Sequence, residues 1–140
     1  MKTMFKAISM VLFLSVIFSS CVKFEDGGMF SIHTIKHRLV GDWVLESFSI
    51  NGTDATTTAQ ASLGSDYKLS IKKDDTFSFV SNGFTVTGTW KLGEDKDDIF
   101  FTDSNNVIQV YRLLRVKNKE IWWKQTQSNG DVYEYHYKAA

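Results

Sequence analysis

Residues 67–92 read "YKLSIKKDDTFSFVSNGFTVTGTWKL", and the pattern in this stretch decides the fold. Tyr67, Leu69 and Ile71 alternate with Lys68, Ser70 and Lys72, and Phe84, Val86 and Trp90 alternate with Thr85, Thr87 and Thr89. Successive side chains of a strand point to opposite faces, so a period of two marks strands with one dry face and one wet face. Asn82-Gly83 is a dipeptide that supplies positive φ at both central positions of a tight hairpin turn, and Asp74-Asp75 is a second short polar connector. Parallel neighbours would need crossovers of a dozen or more residues, so these strands run antiparallel.

The same pattern extends outward from Leu39 to the C-terminus, with turn residues at intervals of about 10, as expected for an all-β barrel or sandwich. Eight strands are predicted, at 39–50, 66–73, 75–82, 84–92, 97–103, 107–116, 119–127 and 130–138. Their connectors, Gly93 to Asp97, Ser104 to Asn106, Lys117-Asn118 and Asn129-Gly130, are short and polar, and the chain has no proline to remove a ladder donor. A meander of eight strands either closes on itself or splits into two packed sheets. Closure removes the exposed edges, and the expectation is an eight-stranded antiparallel up-and-down β-barrel. Residues 30–38, "FSIHTIKHR", form a short helical turn before the first strand, with Phe30, Ile32 and Ile35 as its apolar contacts.

Ten aromatic residues fall on the faces assigned inward: Tyr67, Phe77, Phe79, Phe84, Trp90, Phe101, Tyr111, Trp123, Tyr133 and Tyr135. Aromatic walls with a few polar tips suit a small-molecule cavity. The same rings are also large enough to fill a small barrel completely, and both outcomes stand. Alternating hairpins place the turns near Asn82, Asn105 and Asn129 at one end, together with the long connection "NGTDATTTAQASLGS" of residues 51–65. A loop of that length is either a gate over the barrel or a polar surface excursion.

The N-terminus has another character. Lys2 and Lys6 precede an uncharged apolar run from Ala7 to Phe18, which ends on Ser19 and Ser20. This is the layout of an export signal, and a run of about a dozen residues is short of the roughly 20 that span a bilayer. The chain's single cysteine, Cys21, follows immediately and cannot form an internal disulfide. Phe18-Ser19-Ser20-Cys21 resembles the lipobox of bacterial lipoproteins, although that family favours an aliphatic residue where Phe18 stands. The resemblance implies cleavage after Ser20, a diacylglycerol on the Cys21 sulfur and an acylated Cys21 amine. An ordinary secretory signal with an incidental cysteine is the alternative. The expected organisation is a signal peptide at 1–20, a lipidated flexible tether at 21–29 and one barrel domain at 30–140.

The full chain carries 16 basic and 16 acidic residues, and removal of the leader with Lys2 and Lys6 leaves a mature chain of formal charge about −2. That balance, with no clustered basic face, speaks against nucleic acid as a partner. Membrane attachment would therefore rest on the lipid.

Gly41 and Trp43, in "LVGDWVLESFSING" at 39–52, match the G-x-W motif that opens the first strand in lipocalins and the wider calycin group. With "DDTFSFVSNGFTVTGTWKL" at 74–92 and "DVYEYHYKA" at 131–139, the chain from 38 to 138 resembles the small lipocalin-like domain of bacterial lipoproteins. The resemblance implies a structural role for Trp43 at the closed end, beneath a basic side chain of the last strand, for which Lys138 is the positional candidate. It also implies a lipid-anchored protein of a Gram-negative outer membrane, and Lys23, Glu25 and Asp26 resemble the charged stretch of surface-exported lipoproteins.

Other constellations carry little chemistry. His33 and His37 would share a helix face but lack a third ligand at a motif spacing, and His136 falls on a wet face. The run Glu94 to Asp98 is interrupted by Lys96 and does not follow a calcium loop, so it reads as a solvated turn. There is no nucleophile elbow and no phosphate-binding glycine loop, and the expectation is a non-enzymatic protein without cofactor or metal. Two functions stand: binding of a small apolar or amphipathic ligand in the barrel, or docking of an envelope protein on a barrel whose core is filled.

Overall fold

A computed structural model describes residues 34–140, so the leader, Cys21, the tether and His33 lie outside the described residues. Thr34 caps the first helix, its hydroxyl accepting the His37 N–H at 3.2 Å, and α1 runs from Ile35 to Leu39. The helical lead-in thus ends one residue inside the span predicted for the first strand, which begins at Gly41 instead.

Nine strands follow: β1 (Gly41–Ile50), β2 (Thr53–Asp54), β3 (Lys68–Ile71), β4 (Thr76–Ser81), β5 (Phe84–Leu92), β6 (Asp98–Asp103), β7 (Ile108–Val116), β8 (Glu120–Thr126) and β9 (Val132–Ala139). β2 is a two-residue extension paired with the end of β1, and the other eight form the barrel wall. Each wall strand pairs antiparallel with the next, and β1 closes the cylinder on β9 from Trp43 opposite Ala139 to Ile50 opposite Tyr133. The fold is the expected eight-stranded, closed, antiparallel up-and-down barrel behind a short helix. Bulges between Leu45 and Ser47 and between Leu113 and Arg115 reset the inward parity within β1 and β7.

One seam of the wall is incomplete. β1 meets β3 over only three residue pairs, Gly41–Ile71, Asp42–Ser70 and Trp43–Leu69. Beyond them β1 would expose an unpaired edge, and the connection at 51–65 covers it with a helix, α2 (Thr56–Leu63). The Gln60 amide donates to the Leu45 carbonyl at 3.2 Å, the Ala55 N–H donates to Phe48 O at 2.8 Å, and the Phe48 N–H donates to the Thr56 hydroxyl at 2.9 Å. The predicted loop is therefore a structured plug, held by bonds to strand backbone and by the packing of Ala59 and Leu63 against the core.

The core is filled at the end where the chain enters. Trp43 is 1% exposed and donates its indole N–H to the Leu39 carbonyl at 2.9 Å, which ties α1 across that end. Leu39, Ile71, Trp90, Ile99, Val116 and Ile121 are buried with it. Lys138 is exposed and does not cover Trp43. The parity that turns Tyr137 inward turns Lys138 out, and the buried basic residue at this end is Arg38 of α1, 6% exposed. Gly88 in β5 allows a close approach of β5 and β6, since a Cβ there would lie 1.9 Å from the Thr102 carbonyl oxygen.

Candidate functional site: an aromatic cavity at the barrel mouth

The opposite half of the barrel contains a cavity of about 350 Å³. Its floor is built by inward residues of five strands: Leu69 of β3, Phe77 of β4, Phe101 of β6, Trp123 of β8 and Tyr137 of β9. Tyr67, Phe79, Tyr111 and Tyr135 stand above them, and Leu63, Val86, Val107, Asp103 and Gln109 reach the cavity toward the mouth.

The rings hold one another in place. Phe77 meets Phe101 edge-on at 5.0 Å between centroids, Phe101 meets Trp123 at 5.8 Å, Trp123 meets Tyr137 at 4.9 Å, and Tyr111 meets Tyr135 at 5.7 Å. Edge-to-face and tilted contacts of this kind contribute roughly 0.5–1.5 kcal/mol per pair beyond area burial. A wall locked in this way resists collapse into the space it encloses.

The polar atoms of the cavity are four phenol hydroxyls, the Trp123 indole N–H, the Asp103 carboxylate and the Gln109 amide. The Tyr67 and Tyr137 hydroxyls bond to each other at 3.0 Å. Burial raises the pKa of the Tyr67 hydroxyl, an effect that the Tyr137 bond opposes. Burial also raises Tyr111 and Tyr137 far above the ordinary phenol range and pushes Tyr135 up to about 12. All four phenols are therefore protonated at neutral pH. The Trp123 indole N–H is buried and has no hydrogen-bond partner among the described residues. At the mouth, the Gln127 amide donates to Gln125 at 2.9 Å and Gln125 donates to Gln109 at 2.7 Å. The relay ends on Gln109, whose side chain lines the cavity.

Asp103 is the one charged residue among the described residues of the lining. Its Oδ1 accepts the N–H groups of Asn105 at 2.8 Å and Val107 at 3.0 Å, which fixes the carboxylate in the β6–β7 turn. Across the mouth, Asp66 accepts the N–H groups of Asn82 and Gly83, both at 2.7 Å, and these bonds hold its ionisation below the usual carboxylate range. Ser81 donates to Leu63 O at 2.6 Å and the Asn82 amide donates to Ser62 O at 2.8 Å, so the β4–β5 hairpin is tied to α2.

Of the ten aromatic residues assigned inward, Tyr67, Phe77, Phe79, Phe101, Tyr111, Trp123 and Tyr135 line the cavity together. Trp90 is inward but lies in the filled half, 3% exposed, with its indole N–H on Lys72 O at 2.9 Å. Phe84 has the inward parity but stands at the hairpin tip beyond the rim, 77% exposed. Tyr133 packs edge-on against Phe48 at 5.4 Å and does not line the cavity. Leu69, Val86 and Tyr137 share the parity of assigned neighbours, so the period-two pattern contained them. Asp103 and Gln109 share the parity of Phe101 and Tyr111, but their polar side chains masked it. Leu63 carries no signal, because α2 has no apolar stripe.

Elsewhere, His136 lies on the outer face, stacked on Trp122 at 4.1 Å with its Nε2 2.6 Å from Glu134. The run from Glu94 to Asp98 forms the β5–β6 turn, closed by Gly93 N–H on Asp98 O at 2.8 Å. Among the described residues no three His, Cys, Asp or Glu side chains gather as a metal site. No family model matches the chain, and no curated protein matches it either.

Proposed function

We propose that this protein is a lipocalin-like lipoprotein of the bacterial envelope that binds a small apolar or amphipathic molecule in its barrel. The observation that carries the reading is the ring-walled cavity of about 350 Å³ at the mouth of a barrel whose other half is filled. That volume lies at the lower end of the range for small-molecule sites, which are concave and mostly apolar with a few placed polar groups. A cavity at that end of the range takes a small ligand. The Gly41 and Trp43 motif and the lipobox-like Phe18 to Cys21 support the lipocalin-like and lipid-anchored parts of the proposal. The chemistry is that of a carrier or sensor and not of an enzyme.

Native mass spectrometry of the protein purified from cells tests the reading. Retention of a stoichiometric small molecule, lost when Trp123 is replaced by Ala, is the expected result. A clean unliganded mass, with no uptake from an extract of small molecules, counts against it.

A second reading has its own observation. Phe84, Val107 and Ile108 are exposed apolar residues at the mouth end, the first of them 77% exposed. A rim of this kind suits docking of an envelope protein over the barrel mouth. Crosslinking in intact cells through a photoreactive residue at position 84 would identify such a partner.

A further inference from the structure

We infer that the cavity selects small organic cations with an aromatic or branched apolar body, a conclusion that rests on the ligand-binding reading above. The argument begins with charge. Asp103 is the one charged residue of the lining among the described residues, none of whose Lys, Arg or His side chains line the cavity. An anion placed there would meet an uncompensated carboxylate. A cation would meet its counter-charge, since Asp103 lines the cavity and the turn's two bonds both fall on one of its oxygens, Oδ1.

The rings point the same way. The face of an aromatic ring carries the negative lobe of its quadrupole, and cages of such faces bind quaternary ammonium groups. Trp123, Tyr111 and Tyr135 line the cavity as one packed group, tilted at 5.3 Å between Tyr111 and Trp123 and edge-on at 5.7 Å between Tyr111 and Tyr135, so a cation enters beside the group and not between its rings. The phenols stay neutral at physiological pH, so they offer dipoles and π faces without charge. Asp103 sits on the inward parity of β6 two residues from Phe101, which places the carboxylate at the rim above the rings. An ammonium group between rim and rings therefore has a carboxylate on one side and an aromatic wall on the other. A fatty-acid carboxylate in the same position has no cation to pair with and faces the Asp103 charge, against which it could set only neutral donors, the Trp123 indole N–H and the tyrosine hydroxyls.

Three probes of similar shape separate the terms: benzyltrimethylammonium, its uncharged carbon isostere neopentylbenzene, and hydrocinnamate as the anion. Calorimetric titration of the purified full chain is expected to show the cation binding at least tenfold more tightly than the isostere, with no binding of the anion. Asp103→Asn keeps the Oδ1 acceptor of the turn and should weaken the cation severalfold while leaving the isostere unchanged. Added salt should reproduce that selective weakening in the parent protein, which gives a measurement independent of the variant's folding. Equal affinities for cation and isostere, or tighter binding of hydrocinnamate, overturn the cation preference and leave barrel binding standing. Failure of all three probes to bind overturns both.

Discussion

Gly88 offers the sharpest test of how the wall is built. A Cβ at this position would stand 1.9 Å from the Thr102 carbonyl oxygen, 2.8 Å from the Asp103 Cα and 2.8 Å from Phe77 Cε1. Two of those atoms are backbone and cannot rotate away. Ordinary C···O approach begins at about 3.3 Å, so Gly88→Ala must part β5 and β6 by roughly 1.4 Å at this rung. A displacement of that size takes the flanking N–H···O bonds beyond hydrogen-bond range, with a net loss of about 1 kcal/mol for each of two. Overpacking adds about 1–3 kcal/mol, and the reduced freedom of the unfolded alanine chain offsets about 0.5–1 kcal/mol. The expected destabilisation is about 3 kcal/mol, and at roughly 4–8 °C per kcal/mol the melting temperature should fall by about 12–24 °C. Urea unfolding followed by tryptophan fluorescence measures it. Gly130→Ala is the control, because Gly130 has a φ of 89° and nothing within 4 Å of the added carbon. Its loss is conformational only, about 1 kcal/mol. If Gly88→Ala lies within about 0.5 kcal/mol of the parent, or no lower than Gly130→Ala, the close-approach argument is wrong.

Trp43→Phe should remove the N–H that holds Leu39 O at 2.9 Å, orphan that carbonyl and leave a void, for a loss of about 2–4 kcal/mol. Amide exchange should quicken in residues 35–39, and unchanged exchange there would show that the indole does not latch α1. The buried tyrosines set an alkaline limit. Burial raises Tyr67, Tyr111 and Tyr137 and pushes Tyr135 up to about 12, whereas unfolded tyrosines ionise near pH 10. The folded state therefore holds protons that the unfolded state has released, and stability that is complete below about pH 10 declines above it. The urea midpoint across that range, with phenolate absorbance in parallel, checks the sign; a midpoint that stays level to pH 12 contradicts it. Cys21→Ser should leave the leader uncleaved or release the protein from the membrane fraction, and normal processing with membrane retention would exclude the lipid anchor.

The strands were legible because Tyr67 to Ile71 and Phe84 to Trp90 alternate cleanly and Asn82-Gly83 marks the hairpin between them. The bulges were not. An extra residue at Leu45–Ser47 or Leu113–Arg115 depends on how two strands meet, and neither site carries a glycine to announce it. The helix α2 was hidden for a related reason. "TTTAQASL" has three threonines of modest helix propensity and no apolar stripe, and its helical form depends on partners far along the chain, such as Leu45 O, Ser81 and Asn82. Cavity membership was read from parity, which does not say how high along the wall a residue sits. Phe84 and Trp90 share one face of β5, yet one stands beyond the rim and the other in the filled floor. Height follows from strand stagger, a property of the closed barrel and not of any single strand.

The pairing of Trp43 with Ala139 puts the first and last strands' outer ends together, and the Ala140 N–H rests on Asp42 O at 2.9 Å. Entry and exit of the described chain thus share the floor, a barrel's length from the opening. Immobilisation through the C-terminus, at Ala140, leaves the opening unobstructed, so a surface-captured sample presents the mouth to solution. Tension applied between the two ends would load the β1–β9 ladder one rung at a time, starting at Trp43, and the barrel would unzip under low force where a sheared pair would resist.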